Sequence, residues 1–360
     1  MKFCIDNTKL NLNLAKSNSL TIKSVPQEYK VYMQDVSPSS LLDSMYKDGD
    51  VLLIDRKLID LHNIQVDKYK SFLLVADEKN KTIETCLKLV SYLKENGLNK
   101  ANTLHVVGGG IIQDIGSFVS AIYKRGINWI LYPSTLLSMC DSCIGGKNGI
   151  NFNGMKNQLA LFSSPSEVHV CIDFIDTLKS REISSGLGEV LKLYALGGNN
   201  MLDQYEELVS EGIPKNKEAY KSLILDSLSV KKSVIEYDEF ELNIRRSLNY
   251  GHTLGHAIES LSNYKIPHGQ AVVLGMLLVN KIFNKNFTQL DKLCSELISF
   301  EDMRNISLEG IKSLLLNDKK TIGDEAVFVV LDELGETNFY RKKIDDSLVA
   351  KIEQETDAIF

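Results

Sequence analysis

The sequence predicts a Rossmann-like α/β domain over residues 1–174, followed by a mainly α-helical domain over residues 175–360. In the first part, short apolar segments alternate with amphipathic ones, as strands and helices do in an α/β domain. In the second part the apolar spacing is mainly helical. The predicted elements include strands at 71–76, 104–107, 129–132 and 326–331, and helices at 81–96, 111–122 and 215–232.

A glycine turn links the strand at 104–107 to the helix at 111–122. Backbone N–H groups at the N-terminus of such a helix can bind a pyrophosphate. However, Gln113 takes the third glycine place of the GxGxxG pattern, and a glycine turn between strand and helix is commonly only a turn. This segment alone is weak evidence for a dinucleotide site.

Polar residues follow the next strand, at 129–132, closely. Asp141 and Lys147 flank a Gly-Gly pair in this stretch. Since ligands of open α/β sheets bind beyond the carboxyl ends of the strands, the two side chains could contact one bound substrate. The alternative interpretation is a solvent-exposed loop.

Histidines cluster in the second domain, where three of the six lie between residues 252 and 268. His252 and His256 are four residues apart on one predicted helix, and His268 opens the next. Two histidines are often ordinary surface or core residues, and the glutamate of an HExxH motif is missing here. A metal site therefore needs another ligand, and Glu189, on a predicted amphipathic helix, is the candidate. With Lys192 it could equally form a solvated i,i+3 pair.

Composition excludes several classes of protein. The 360 residues are 44% hydrophobic, which allows a large core and two domains. The net charge of −6 and the lack of a basic block argue against a nucleic-acid partner. Neither an apolar leader nor a membrane-length segment is present, so we expect a cytoplasmic protein with no membrane partner.

The six cysteines are too sparse for a disulfide scaffold, and we expect reduced thiols. Cys140 and Cys143 form a CxxC pattern, but no second CxxC accompanies it. A redox or structural zinc role is therefore disfavoured.

A series of motifs occurs in order between Asp77 and Lys320: GGGxxxD, YKRG, PSTLL, DSxxGGK, GxKN, SGxGExxK, RxxxNxGHTxGHA and HGxAV. In this combination the chain resembles the 3-dehydroquinate synthase family of sugar phosphate cyclases. No single motif is specific, but together they are. The resemblance includes Asp318, Lys319 and Lys320 near its end.

The resemblance implies a metal-dependent enzyme that also binds NAD. Glu189, His252 and His268 would hold a divalent metal, zinc or cobalt, and a site with one carboxylate and two imidazoles suits catalysis. The implied NAD-binding residues are Gly109, Gly110 and Asp114 near the phosphates and the nicotinamide-side ribose, Asp55, Glu78 and Lys81 toward the adenosine, and Ser134, Thr135, Thr177 and Leu178 around the pocket.

The resemblance also implies a small sugar phosphate as substrate and a homodimer. Substrate contacts would come from Asp141, Lys147, Lys192, Lys231, Arg245, Asn249 and His256, with Arg125, Lys156 and Asn157 at the phosphate. So many cations suit a substrate that carries both a carboxylate and a phosphate. We expect Arg245 to lie one helical turn before Asn249 and nearly two before His252, and the site to occupy a cleft between the domains.

The implied reaction converts 3-deoxy-D-arabino-heptulosonate 7-phosphate to 3-dehydroquinate and phosphate. NAD takes a hydride from the substrate, phosphate is eliminated, the hydride returns, and an intramolecular aldol addition closes a carbocycle. NAD is therefore not consumed.

Several positions depart from the family pattern: Ser134, Asn148, Leu254, Gln270 and the segment 157–165. None is a predicted metal ligand. They leave open a sister cyclase that uses a sugar without a carboxylate, such as sedoheptulose 7-phosphate, although Arg245 argues against it. Two further alternatives are a metal-dependent polyol dehydrogenase, which would not need the phosphate and carboxylate contacts, and a non-catalytic binding protein.

Overall fold

The computed structural model describes residues 1–25, 27–210, 212–299, 307–317, 321 and 323–360. The motif residues 318–320 lie outside this range. The described residues form two compact units, Ala15–Lys179 and Met1–Leu14 together with Ser180–Phe360. None of the described helices has the length and apolar content needed to cross a membrane.

The strands and helices of the described residues are numbered in chain order. The strands are β1 (Lys2–Ile5), β2 (Thr8–Asn11), β3 (Ser19–Ile22), β4 (Tyr29–Gln34), β5 (Val51–Asp55), β6 (Ser71–Leu74), β7 (Thr103–Gly108), β8 (Asn128–Pro133), β9 (Lys147–Phe152), β10 (Met155–Phe162), β11 (Glu167–Cys171), β12 (Val209–Ser210), β13 (Ile213–Pro214), β14 (Glu325–Glu333) and β15 (Glu336–Lys343). The helices are α1 (Pro38–Met45), α2 (Arg56–Leu61), α3 (Ile83–Glu95), α4 (Gly110–Ile122), α5 (Ser180–Gly197), α6 (Asn199–Leu208), α7 (Lys217–Ile235), α8 (His252–Leu261), α9 (His268–Ile282), α10 (Thr288–Leu297), α11 (Ile311–Leu316) and α12 (Asp346–Ile359).

The unit Ala15–Lys179 is built on a sheet with the strand order β3-β4-β11-β8-β7-β5-β6. Its strands are parallel except β3, which pairs antiparallel with β4. The central strands are almost wholly buried, as is typical of parallel sheets covered on both faces. The carboxyl ends of β5, β7 and β8 lie side by side, which confirms the Rossmann-like α/β prediction and brings the following loops to one edge.

The second unit is mainly helical, and it also contains a sheet in the order β14-β15-β1-β2. We predicted a boundary at 174/175, whereas the units divide after Lys179 and the segment Met1–Leu14 joins the second unit. The reason is a long-range pairing, because β1 lies parallel to β15 and antiparallel to β2.

Glycines allow helices α5, α8 and α9 to lie close together. A Cβ atom on Gly188 would overlap the backbone of Gly269, and one on Gly251 would lie 2.5 Å from the carbonyl oxygen of Val272. One on Gly255 would lie 2.9 Å from the carbonyl oxygen of Ala271. A predicted metal ligand is adjacent in sequence to each of Gly188, Gly251 and Gly269. The close packing of the helices therefore brings those ligands together.

The expectation of one helix through Arg245, Asn249 and His252 is wrong. Residues Ile244–Asn249 form a 3₁₀ helix, and Gly251 has a left-handed conformation with φ of 78° before α8 begins. Glycine is favoured there because of this φ and because α9 lies so close.

The cysteines behave as expected for reduced thiols. None of the six, all of which lie in the described ranges, forms a disulfide. Cys140 and Cys143 are buried, and their Sγ atoms lie close to backbone carbonyl oxygens.

Candidate active site

Three side chains from three helices of the second unit converge where the sequence predicts a metal. Glu189 lies on α5, and its Oε1 atom is 3.5 Å from Nε2 of His252 and 3.2 Å from Nε2 of His268. Four ligands at 2.0–2.2 Å around a tetrahedral zinc would be separated by about 3.3–3.6 Å. The donor chemistry and these two separations fit a zinc site, and the Glu189 side chain is only 1% exposed.

The other ring nitrogens of the two histidines are occupied. Nδ1 of His252 is 3.2 Å from the carbonyl oxygen of Tyr250, and Nδ1 of His268 is 3.1 Å from Oε2 of Glu259. A carbonyl or carboxylate accepts a hydrogen bond from Nδ1–H, which leaves Nε2, the nitrogen that faces Glu189, as the ligand atom for a metal. Burial alone would lower the pKa of His268, but the Glu189 and Glu259 carboxylates raise it to about 10.

His256 lies beside the same group, with its ring centroid 5.1 Å from that of His252 and 5.6 Å from that of His268. One ligand nitrogen from each of the three histidines falls within 4.8 Å of the others. A three-histidine site is therefore a second possible donor set. The set with Glu189 supplies a negative charge to a divalent ion, and we favour it.

The predicted cations of the second unit are largely buried. The Nζ atom of Lys192 forms an ion pair with Oε2 of Glu189, and Lys192 is 1% exposed. The sequence allowed a solvated pair here, and the structure shows a buried one. Lys231, on α7, is 7% exposed. Arg245 is 2% exposed, and its Nη1 donates to the carbonyl oxygen of Glu239.

Asp238 organises the loop at 238–245, and no sequence motif pointed to it. Its carboxylate accepts hydrogen bonds from the backbone N–H groups of Leu242, Asn243 and Arg245 at 2.8–2.9 Å. Burial alone would raise the pKa of Asp238, but these bonds and the Arg245 charge hold it below its ordinary value. The loop also brings Glu241 to Asn249, whose Nδ2 donates to Oε1 of Glu241 at 3.1 Å.

The glycine turn of the first unit lies where the sequence predicts a pyrophosphate. Gly109 is the N-cap residue of α4, which shows no side-chain cap hydrogen bond in the described part of the chain. A Cβ atom on Gly110 would meet nothing within 4 Å, whereas one on Gly109 would lie 2.9 Å from Thr135. The open space beside Gly110 and the N-terminus of α4 fit an anionic ligand.

A polar cluster next to this turn joins residues that the sequence analysis assigned to different parts of the site. Nζ of Lys81 is 2.5 Å from Oδ2 of Asp114 and 2.7 Å from Oδ1 of Asn157. Asn151 bridges Oε1 of Glu78 and the backbone N–H of Asn157. Burial raises the pKa of Asp114 to about 6, despite the Lys81 charge. Asn157, predicted at the substrate phosphate, thus contacts a residue predicted to bind NAD.

The remaining predicted NAD residues have local structural partners. Asp55 caps α2 by accepting from the N–H of Lys57 at 3.3 Å. The backbone N–H of Ser134 donates to Gly108, and Thr135 forms a hydrogen-bonded turn with Ser138. All of these lie at the carboxyl edge of the sheet.

Thr177 ends a 3₁₀ helix, and Leu178 follows as its C-cap. The Thr177 hydroxyl donates to the carbonyl oxygen of Phe174 at 3.2 Å, and its oxygen is 3.0 Å from Nε2 of His62. His62 was not among the predicted residues.

Asp141 lies in a short π-helix, Ser138–Ser142, and Lys147 is exposed at the start of β9. Gln113, the residue that breaks the GxGxxG pattern, holds this π-helix, because its Nε2 donates to the Ser142 carbonyl at 2.7 Å. The predicted phosphate residues Arg125 and Lys156 lie on a 3₁₀ turn and on β10, respectively.

The fold and the site define a class of two-unit protein, with a Rossmann-like unit and a helical unit that carries a carboxylate-histidine centre. The described fold matches the solved structure of 2-deoxy-scyllo-inosose synthase complexed with carbaglucose-6-phosphate, NAD⁺ and Co²⁺ with a TM-score of 0.83, at 20% identity over 94% of this chain and 99% of that one. It matches 2-epi-5-epi-valiolone synthase from Streptomyces hygroscopicus subsp. jinggangensis, with NAD⁺ and Zn²⁺ bound, with a TM-score of 0.78, at 21% identity over 94% and 98%.

Sequence comparison identifies the family. The 3-dehydroquinate synthase N-terminal model matches residues 71–185, and the C-terminal model matches residues 186–321. The chain is 31% identical to the 3-dehydroquinate synthase of Streptococcus equi subsp. equi over 92% of its length and 97% of the relative's. It is 35% identical to that of Clostridium tetani over 73% and 74%. The chain belongs to the 3-dehydroquinate synthase family of carbon–oxygen lyases.

Proposed function

We propose that this chain is an NAD- and divalent-metal-dependent sugar phosphate cyclase. Its preferred reaction is the conversion of 3-deoxy-D-arabino-heptulosonate 7-phosphate to 3-dehydroquinate and phosphate. The observation that carries the proposal is the convergence of Glu189 with His252 and His268. Family membership supports the substrate, because the relatives compared above are 3-dehydroquinate synthases.

The residues present fit both cofactors. Glu189, His252 and His268 would hold Zn²⁺ or Co²⁺, and the N-terminus of α4 beside Gly110 would hold the NAD pyrophosphate. The two synthase structures compared above contain NAD⁺ with Co²⁺ or Zn²⁺, which supports the same pair of cofactors here. When bound, the metal would stabilise negative charge on a substrate hydroxyl oxygen, and NAD would accept and return a hydride.

The chain's own side chains would bind and orient the substrate. Lys192 and Lys231 are cations with little exposure, and each can stabilise negative charge that develops on substrate oxygens. Arg245 is the proposed partner of the substrate carboxylate, since a guanidinium fork binds a carboxylate through two hydrogen bonds. Asn249 and His256 would hold hydroxyl groups of the sugar.

The residues proposed for the phosphate end lie in the first unit. These are Arg125, Lys156 and Asn157. Asp141 and Lys147, which follow the carboxyl edge of the sheet in the same unit, are proposed to contact the reacting part of the substrate. The reaction has several steps, and the same flexible substrate has to stay in place through all of them. Many contacts are needed because each one restricts the conformations of the bound substrate. We also propose a homodimer, which light scattering of the purified protein would test.

Phosphate release is the decisive assay. The purified protein is incubated with NAD and zinc and with each sugar phosphate in turn, and the carbocyclic product is identified. We expect phosphate release from the heptulosonate over many turnovers with no net rise in NADH absorbance. A stoichiometric rise in NADH would indicate a dehydrogenase and would overturn the proposal.

One observation favours a sister cyclase that uses a sugar without a carboxylate. Arg245 is 2% exposed and its guanidinium donates to the Glu239 carbonyl, so part of its hydrogen-bonding capacity is already used. If sedoheptulose 7-phosphate releases phosphate faster than the heptulosonate, this second function replaces the first.

A further inference from the structure

The two predicted histidine ligands are oriented by different kinds of acceptor. Nδ1 of His252 faces the backbone carbonyl of Tyr250 at 3.2 Å, and Nδ1 of His268 faces the Glu259 carboxylate at 3.1 Å. A carbonyl oxygen is neutral, whereas a carboxylate carries a full charge and forms a stronger hydrogen bond. The environment of His268 therefore depends on a side chain that can be replaced.

Glu259 is placed by the same helix that supplies His252. The two residues are seven apart on α8, which is about two turns, so they lie on one face of the helix. His268 opens α9, which packs against α8 so closely that a Cβ on Gly255 would lie 2.9 Å from the Ala271 carbonyl. The Glu259 side chain is only 13% exposed, so water competes little for its carboxylate.

We propose that Glu259 is a positioning residue for the metal site. It holds His268 with Nε2 directed at Glu189 and strengthens that nitrogen as a metal ligand. The inference rests on the proposed function, because it requires that the site binds a divalent ion. Glu259 contacts Nδ1 of His268, whereas Glu189 contacts Nε2. Glu259 therefore acts through the histidine, and a carboxylate behind a metal-bound imidazole commonly increases metal affinity.

Metal affinity is the measurement that tests this role. Zn²⁺ affinity is determined by competition with a chromophoric chelator for the wild type, Glu259→Ala and Glu259→Gln. We expect affinity to fall about 10–100-fold in Glu259→Ala, the usual effect of removing such a partner. Glu259→Gln should lose less, because the amide oxygen can still accept from Nδ1 but carries no charge. The visible spectrum of bound Co²⁺ should change in the same order, since it reports the ligand geometry.

Two comparisons separate positioning from a general effect on folding. The melting temperatures of the metal-free variants should differ little from one another. The increase in melting temperature that Zn²⁺ produces should differ more among the variants. The matched control is Glu206→Gln on α6, whose carboxylate bonds Gln289 and Lys292, and it should bind metal like the wild type.

The possible outcomes distinguish this inference from the proposed function. Wild-type Zn²⁺ affinity in both Glu259 variants would overturn the positioning role, whatever the assay with sugar phosphates shows. A wild type that binds no divalent ion would overturn both proposals. A wild type that binds zinc but releases no phosphate would refute the reaction alone, while the affinities still decide the role of Glu259. If Glu259→Ala does not fold, Glu259→Gln gives the answer.

Discussion

A Cβ atom on Gly269 would overlap the carbonyl oxygen of Ser185, so α9 lies against α5 at a distance that only glycine permits. The backbone N–H of Gly269 also donates to Oγ of Ser185 at 3.1 Å. Gly269 follows His268, and Ser185 precedes Glu189 by one helical turn. The spacing of the two helices thus determines the spacing of the two predicted ligands.

Gly269→Ala should therefore damage stability and metal binding together. The methyl group would push α9 away from α5, and we expect a loss of about 1–3 kcal/mol in the free energy of unfolding, as for other overpacked cores. Urea unfolding and the zinc content of the purified protein measure the two effects. Ser313→Ala, on the exposed face of α11, is the control. Normal zinc content in Gly269→Ala would show that the close approach is not needed.

The choice between the two donor sets can be tested by substituting the histidines singly. His268→Ala should lose bound zinc and turnover, because His268 belongs to both sets. His256→Ala should keep its zinc while turnover falls, because we place His256 on the substrate. Metal analysis after dialysis decides the matter. Loss of zinc from His256→Ala, with zinc kept in Glu189→Gln, would favour the three-histidine site.

The sequence predicted those parts of the site that depend on local patterns. The apolar strand before Gly108 and the helix after it appear in the structure as β7 and α4, and His268 opens α9 as expected. Each of these follows from periodicity and from residues that favour a turn or a helix start within about twenty positions.

Contacts between distant positions could not be predicted in this way. Lys81 contacts Asn157, which is 76 residues away, and nothing in the spacing of either residue indicates it. The burial of Glu189 and Lys192 also depends on packing from α9, so a pair that the sequence allowed to be solvated is enclosed. Arg245 was placed on a continuous helix because helical spacing was extended across Gly251, where the backbone turns instead.

The acid sensitivity of the loop at 238–245 should depend on Asp238. Its pKa is lowered in the folded state, so its contribution to stability is present above the ordinary aspartate value of about 3.9 and is lost as pH falls through the lower, folded value. Asp238→Asn removes the charge and should cost about 1–3 kcal/mol at neutral pH, because two or more backbone bonds weaken. Urea unfolding between pH 3 and 6 should show this difference shrinking below about pH 4. A difference that stays constant over this range would contradict the prediction, and Asp324→Asn on the surface is the control.

Under the proposed function, we expect Arg245 to determine which sugar phosphate the site accepts. Removal of a charge-assisted contact with a carboxylate should cost about 2–4 kcal/mol, so Arg245→Ala should lower kcat/KM on the heptulosonate roughly thirty-fold to a thousandfold. A sugar phosphate without the carboxylate should lose much less. Because Arg245 is buried and bonds Glu239, Arg245→Lys and the unfolding curves of both variants separate charge recognition from loss of packing. The exposed neighbour provides the matched control, Arg246→Ala. Equal losses on both substrates would mean that Arg245 supports the loop and does not bind a carboxylate, and the sister cyclase would then be the better assignment.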